Sequence, residues 1–237
     1  MLIVEEDHYG CKISTYFHLE RNVSWIKEKL TDEQLLKLSN TSFGFLLNAQ
    51  VAQWNLQFVH SVLLRQLSPT KCDDDVEDAM YFNFFGNKVR LGSNEFAIIT
   101  GMKIGDYRTS LKQVKVGEAA VRFKEYIRRG LVEGEATYED VKIRFKNMGD
   151  DISDDECIAM ALLLLYTDVV AKPPRTKIDD EIIQLALVVD EWNKFPWGSI
   201  SYNETKISAR SCIINSSQRK SKTYTIGGFP VVFQVNN

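Results

Sequence analysis

The stretch "CIAMALLLLYTDVV", Cys157 to Val170, is the longest apolar run in the chain. It is shorter than the roughly 20 residues a helix needs to cross a bilayer, and it carries Asp168. It therefore reads as a buried core helix, apolar on all sides and in need of cover from other elements. "SDDE", Ser153 to Glu156, opens it as a capping box with acids at the positive end of the helix dipole. A chain of 237 residues that is 44% hydrophobic and 26% charged has enough apolar material for one large domain or two small ones.

Further helices can be read around that run. "TDEQ" at Thr31 to Gln34 is a second capping box, and the first forty residues read as short helices. Trp54, Phe58 and Val62 recur at helical spacing, which predicts a long amphipathic helix from Gln53 to Leu67, ended by Ser68-Pro69. Ala120, Phe123 and Ile127 give an apolar side to 117–129, and Val141, Phe145 and Met148 do the same after a start at Thr137. Asp179 to Trp192 is apolar nearly all round and reads as one central helix. The tail turns after Pro196 and continues as a helix, Gly227-Gly228 are turn punctuation, and a short buried segment closes the chain.

"MYFNFFGNKVRL" is the one hairpin signal. With Gly86-Asn87 as a type II′ loop, Phe84 faces Val89, Phe82 faces Leu91, and Asn83 pairs with Arg90. Phe82, Phe84, Val89 and Leu91 then share an apolar face that lies on a helical core. After Gly92, Ser93 is the expected N-cap of a short helix "NEFAIIT" that Gly101 stops, and Glu95 and Arg90 are placed to form a salt bridge or cap. The expected fold is mainly α: a single multi-helix domain with one short β-hairpin at about residues 80–91. Residues 1–40 form an N-terminal helical extension and 41–237 the domain itself, because the chain is equally apolar on both sides of the only candidate seam, Lys172 to Lys177.

No motif supplies a reaction. His8, His18 and His60 are all early, Cys157 and Cys212 read as buried thiols, and no phosphate-cradling loop occurs. "DDDVED" and "DDISDDE" lack the spacing of a calcium loop. Four dispersed cysteines suit reduced thiols in an intracellular protein, and the N-terminus has no leader pattern. The net charge of −3 makes no case for polyanion binding by the chain as a whole, yet charge is segregated. Segments 103–130 and 206–222 are basic, and Arg122, Lys124, Arg128, Arg129, Arg210, Arg219, Lys220 and Lys222 are the candidate nucleic-acid contacts.

"FGFLL" (43–47), "LLRQL" (63–67), "VRLGSNEFAIITGM" (89–102), "FPWGSISY" (195–202) and "YTIGGFPVVFQV" (224–235) together resemble the plant domain-of-unknown-function family numbered 1985. The resemblance covers residue 41 to the end, and a weaker one extends to the plant mobile domain. Arg90, Ser93, Glu95, Phe96 and Gly101, with Pro196, Trp197 and Gly198, are its structural motif residues. Two departures stand out: Leu91-Gly92 replaces a usual Phe-Ser pair, and no Trp-rich segment follows the last motif. The resemblance implies a transposon-derived plant protein, a nuclear setting, and relatives in which a SUMO-type cysteine protease follows. The expectation is a non-catalytic recognition module for a protein or nucleic-acid partner, with no cofactor, metal, membrane or small-molecule substrate. The alternatives are nucleic-acid binding through the two basic segments, or an accessory fragment of such a protease.

Overall fold

The structure, a computed structural model, describes residues 12–49, 55–68, 79–130, 134–149, 151–219 and 223–234. In chain order these form β1 (Lys12–Thr15), α1 (Leu19–Lys29), α2 (Asp32–Ser39), a 3-10 turn (Gly44–Asn48), α3 (Leu56–Leu64), β2 (Met80–Phe84), β3 (Asn87–Leu91) and α4 (Ser93–Thr100). There follow α5 (Tyr107–Gln113), α6 (Glu118–Arg128), α7 (Tyr138–Lys146), α8 (Asp154–Val170), α9 (Asp180–Ala186), α10 (Val189–Lys194), α11 (Trp197–Arg219), β4 (Thr223–Ile226) and a 3-10 turn (Pro230–Gln234). The fold is mainly α with a hairpin packed on helices, as the sequence predicts. The acidic run Asp73–Asp78 lies outside the described residues, as do Lys220 and Lys222.

The chain divides into two compact units, each assembled from separate segments. One comprises Met1–Phe17, Val51–Gly105 and Pro196–Asn237; the other comprises His18–Gln50 and Asp106–Phe195.

In the second unit α8 is the core. Every residue from Cys157 to Val170 is buried, and α1, α2, α7 and α9 pack on it. Both predicted capping boxes are present: Thr31 with Gln34, and Ser153 with Glu156. Asp168 is fully buried and reaches the start of α1, where it accepts hydrogen bonds from the His18 backbone N–H and the Asn22 amide, both at 2.7 Å. It caps α1 in place of the missing side-chain cap at His18. The single helix expected over 179–192 is instead two, α9 and α10. The β-branched pair Val188-Val189 weakens continuation, while Asp190 and Glu191 favour the first turn of a new helix. Trp192 is buried edge-on to Phe43, with ring centroids 5.1 Å apart.

In the first unit α11 is the long element. Its start is pinned where the Gly198 N–H donates to the Lys103 carbonyl at 2.8 Å. A Cβ on Gly198 would stand 2.8 Å from that oxygen and 2.9 Å from the Met102 carbonyl, so the close approach requires glycine. Tyr202 donates to the Leu91 carbonyl and packs against Phe96, which also meets Phe229. Gly228 lies against Thr205 of α11, whose hydroxyl accepts from the Phe229 N–H, so the Gly-Gly pair permits an approach as well as a turn.

Several expectations are corrected. β1 occupies 12–15, where short helices were expected, and pairs in parallel with β4, Ile13 opposite Tyr224. The long helix of 53–67 is shorter, Leu56–Leu64 capped by Asn55, with Gln53 and Trp54 outside the described residues. The N-cap of α4 is Gly92, one residue before Ser93. The hairpin loop is Phe85-Gly86, with φ of 51° and 83°, the double left-handed pattern of a type I′ turn. Phe82 therefore faces Val89, Asn83 faces Lys88 and Tyr81 faces Arg90. The four apolar residues still share a face, but only Phe82 and Leu91 are buried; Val89 is 45% exposed. On its other side β2 is joined by 65–67, through Asn83 N–H to Arg65 and Leu67 N–H to Tyr81.

Candidate functional site

The hairpin's apolar face does not vanish wholly into a core. In the first unit it floors a groove of about 360 Å³. Phe82 and Phe84 of β2 with Val89 and Leu91 of β3 form the base. Phe58 and Val62 of α3 stand on one side, Ile98 and Ile99 of α4 on another, and Val232 and Phe233 of the last 3-10 turn close it. The helices put these residues here for a local reason. Phe96, fully buried, turns one face of α4 inward, which leaves Ile98 pointing outward and 84% exposed. Phe58 and Ile99 are also exposed, and Phe85 at the hairpin tip is 99% exposed. Such a cluster of uncovered apolar side chains marks an interaction surface more often than a scattered set does.

One charged pair sits on the rim. Arg90 reaches across Gly92 to the Glu95 carboxylate at 2.5 Å, and Glu95 also accepts from the Gly92 N–H at 2.7 Å. Gly92 permits this crossing, because a Cβ there would stand 2.7 Å from the Arg90 guanidinium. Burial pulls the Glu95 carboxyl upward, but the Gly92 N–H and Arg90 outweigh it and hold the group below its ordinary value. Burial likewise opposes the charge of Arg90, and Glu95 more than restores it. A paired, acidified carboxylate that caps a helix is a poor proton donor at neutral pH. Its geometry serves to clamp β3 to α4.

The predicted motif residues do meet. Arg90, Ser93, Glu95, Phe96 and Gly101 surround α4, while Pro196, Trp197 and Gly198 open α11. The Gly198–Lys103 hydrogen bond and the Phe96–Tyr202 contact join the two. Trp197 is buried at 2% exposure, so it serves the core. His60 is buried and shares a 2.9 Å hydrogen bond with the Tyr224 hydroxyl, and Cys157 is buried at the start of α8. Among the described residues no group of His, Cys, Asp and Glu could hold a metal ion, and no helix is long and apolar enough to cross a membrane.

The described candidate nucleic-acid residues are divided between the two units. Arg122, Lys124 and Arg128 lie on α6, with Arg129 just past it, in the second unit; Arg210 and Arg219 lie on α11 in the first. Lys124 is gripped by Glu135 at 2.6 Å and Asp180 at 2.8 Å. Arg129 pairs with Asp151 at 2.6 Å, Arg122 stands 3.9 Å from Glu118, and Arg210 donates to the Ala79 carbonyl. Carboxylates within the protein therefore answer Arg122, Lys124 and Arg129. A second depression, of about 430 Å³ between α5, α9 and α10, is mixed in character. Its Gln184 is held by the Gly117 N–H and its Glu191 by Lys194. The groove residues Phe58, Ile98, Ile99 and Phe233 escaped the sequence reading; the adjacent Ile98-Ile99 on a short helix was the available signal, since both cannot face inward.

A family model described as a domain of unknown function matches residues 63–208, from the end of α3 into α11. No curated protein and no solved structure matches the chain.

Proposed function

The chain belongs to the DUF1985 family, and from that membership, which carries no assigned activity, we propose that it is a non-catalytic recognition module that takes a short apolar segment of a partner protein into the hairpin groove. The observation that carries this reading is the exposed apolar cluster of Val89, Ile98, Ile99 and Phe58 around a groove whose only acid, among the described residues, is neutralised by Arg90. At about 360 Å³ the groove accepts two or three side chains. A stable interface between folded domains buries about 800 Å² on each partner, which favours a peptide-like segment over a second copy of the chain. The setting implied by the resemblance, a transposon-derived plant protein in the nucleus, belongs to the same proposal.

Displayed random peptides selected against the full chain test it. The expected result is convergence on sequences with two or three spaced apolar residues, bound with little dependence on salt. Ile98→Asp or Val89→Asp should weaken that binding at least tenfold, while Leu36→Asp, an exposed leucine in the other unit, should leave it unchanged. Peptides that do not converge, or that ignore both groove variants, overturn the reading. So does self-association in sedimentation that Ile98→Asp abolishes.

A further inference from the structure

Among the cations singled out in the sequence, Arg122, Lys124 and Arg129 have carboxylate partners, but another set does not. On α1, Arg21, Trp25 and Lys29 stand at i, i+4 and i+8, one above the other on a single face. On α7, Lys142 and Lys146 stand at i and i+4. The two rows meet over Trp25. The Arg21 guanidinium lies 4.9 Å and the Lys146 ammonium 4.5 Å from the indole centroid. Lys29 reaches the Met148 carbonyl just beyond α7 at 3.4 Å.

Among the described residues, no carboxylate comes within 4 Å of Arg21, Lys29, Lys142 or Lys146. Glu28 and Glu139 lie on the same helices without closing on them. Asp168, beneath the seam, is buried and committed to His18 and Asn22. The crowding of positive charge is felt locally. The His18 imidazole is pushed down to about 4, first by burial and then by Arg21 and Lys142. Burial also lowers Lys142, and Arg21 adds to that against the attraction of Asp168 and Glu139.

We infer that this seam between α1 and α7 is a strip for the phosphate backbone of a nucleic acid. The row on α1 extends about 12 Å at 1.5 Å per residue, the reach of several consecutive phosphates rather than of one. Cations over the Trp25 ring take the positions a stacked base would need, so the strip reads charge and not sequence. A chain whose net charge is −3 can bind a polyanion only through such a local concentration of charge. This inference does not depend on the hairpin groove, which lies in the other unit.

The test is fluorescence anisotropy of a labelled duplex DNA with the full chain, titrated against salt. Four contacts predict a slope of log K against log salt of about −3.6, and loss of two flattens it by about 2. Lys29→Gln with Lys146→Gln should do this, and Arg21→Gln should remove one further contact. Lys194→Gln, which removes an exposed cation elsewhere in the same unit, should leave the slope unchanged. Circular-dichroism melting of each variant separates loss of binding from loss of fold. Absence of binding at low salt, or binding that the folded double variant retains in full, overturns the inference. Preferential capture of poly-glutamate or of anionic vesicles over DNA also overturns it, by assigning the strip to a different class of partner.

Discussion

Asp168 is fully buried, and its chemistry departs well away from its free state. Burial pushes its carboxyl up to about 6, against the pull of the His18 N–H, Asn22, Lys142 and Arg21. An acid that holds its proton more tightly when folded stabilises the fold below its unfolded value near 3.8, and that contribution is lost as pH rises through 6. The change from 3.8 to about 6 corresponds to about 3 kcal/mol at 1.36 kcal/mol per unit. His18 acts with the opposite sign. Its imidazole is lowered, so the unfolded chain binds the extra proton and stability grows as pH rises from about 4 toward 6.5. Solvent reaches that ring, so the His18 effect is the smaller of the two. Asp168→Asn should remove the falling component and leave the rising one. The variant's amide can still accept from the His18 N–H, and, with the Asn22 amide turned over, it can donate to the Asn22 side-chain oxygen, which lacks a hydrogen-bond partner in the present arrangement. Urea unfolding of both proteins from about pH 4 to about pH 7 measures this, with the wild-type chain losing up to about 3 kcal/mol relative to the variant as pH rises. Parallel curves would show that Asp168 does not titrate in this window.

At the scale of elements, the hairpin shows what could and could not be read. Gly86 announces a turn, but "FGN" allows two loops, and the chain uses Phe85-Gly86. Moving the loop by one residue shifts every cross-strand partner by two, which preserves the parity of the faces. The apolar face was therefore legible although the pairing was not. How far that face is covered depends on α3, α4 and the last 3-10 turn, and no local pattern reports it. The parallel pair β1–β4 was illegible for a related reason. Its strands, "KIST" and "TYTI", are four residues long, lack clean alternation and meet across two hundred residues of chain. The turn itself yields a prediction. Phe85 holds a left-handed φ of 51° with its ring 99% exposed, so it bears the strain of that conformation with no burial in return. Phe85→Asn installs the Asn-Gly pair that type I′ turns favour and should stabilise the first unit by about 0.5–1 kcal/mol. A higher urea midpoint with unchanged m-value is the expected reading. A lower midpoint would mean that the exposed ring has a packing role the geometry does not show.

At the scale of the whole molecule, the expected division of the chain and the packing of α8 make different demands on residues 1–40. A detachable extension would leave 41–237 intact. Yet α1 and α2 pack directly on α8, and they bury Leu19, Ile26 and Leu38, with Leu30 between them. Four such side chains at about 2 kcal/mol each give about 8 kcal/mol, comparable to the whole stability of an ordinary domain. Asp168 would also lose both of its hydrogen-bond donors, His18 and Asn22, and Asp154 at the other end of α8 would lose the Gln34 amide. A buried carboxyl stripped of its donors adds a desolvation penalty to the lost packing. The apolar run that dominates the sequence needs cover on every side, and part of that cover comes from the segment that the sequence sets apart as an N-terminal extension. A chain beginning at Thr41 should accordingly melt over a broad range and bind a dye that reports exposed apolar surface. A synthetic peptide of residues 18–40 added in trans should restore a sharp transition at a concentration set by its affinity for α8. Cooperative unfolding of 41–237 without the peptide, at the midpoint of the full chain, would establish the first forty residues as a true extension and shift the closure of the second unit's core onto α7 and α9.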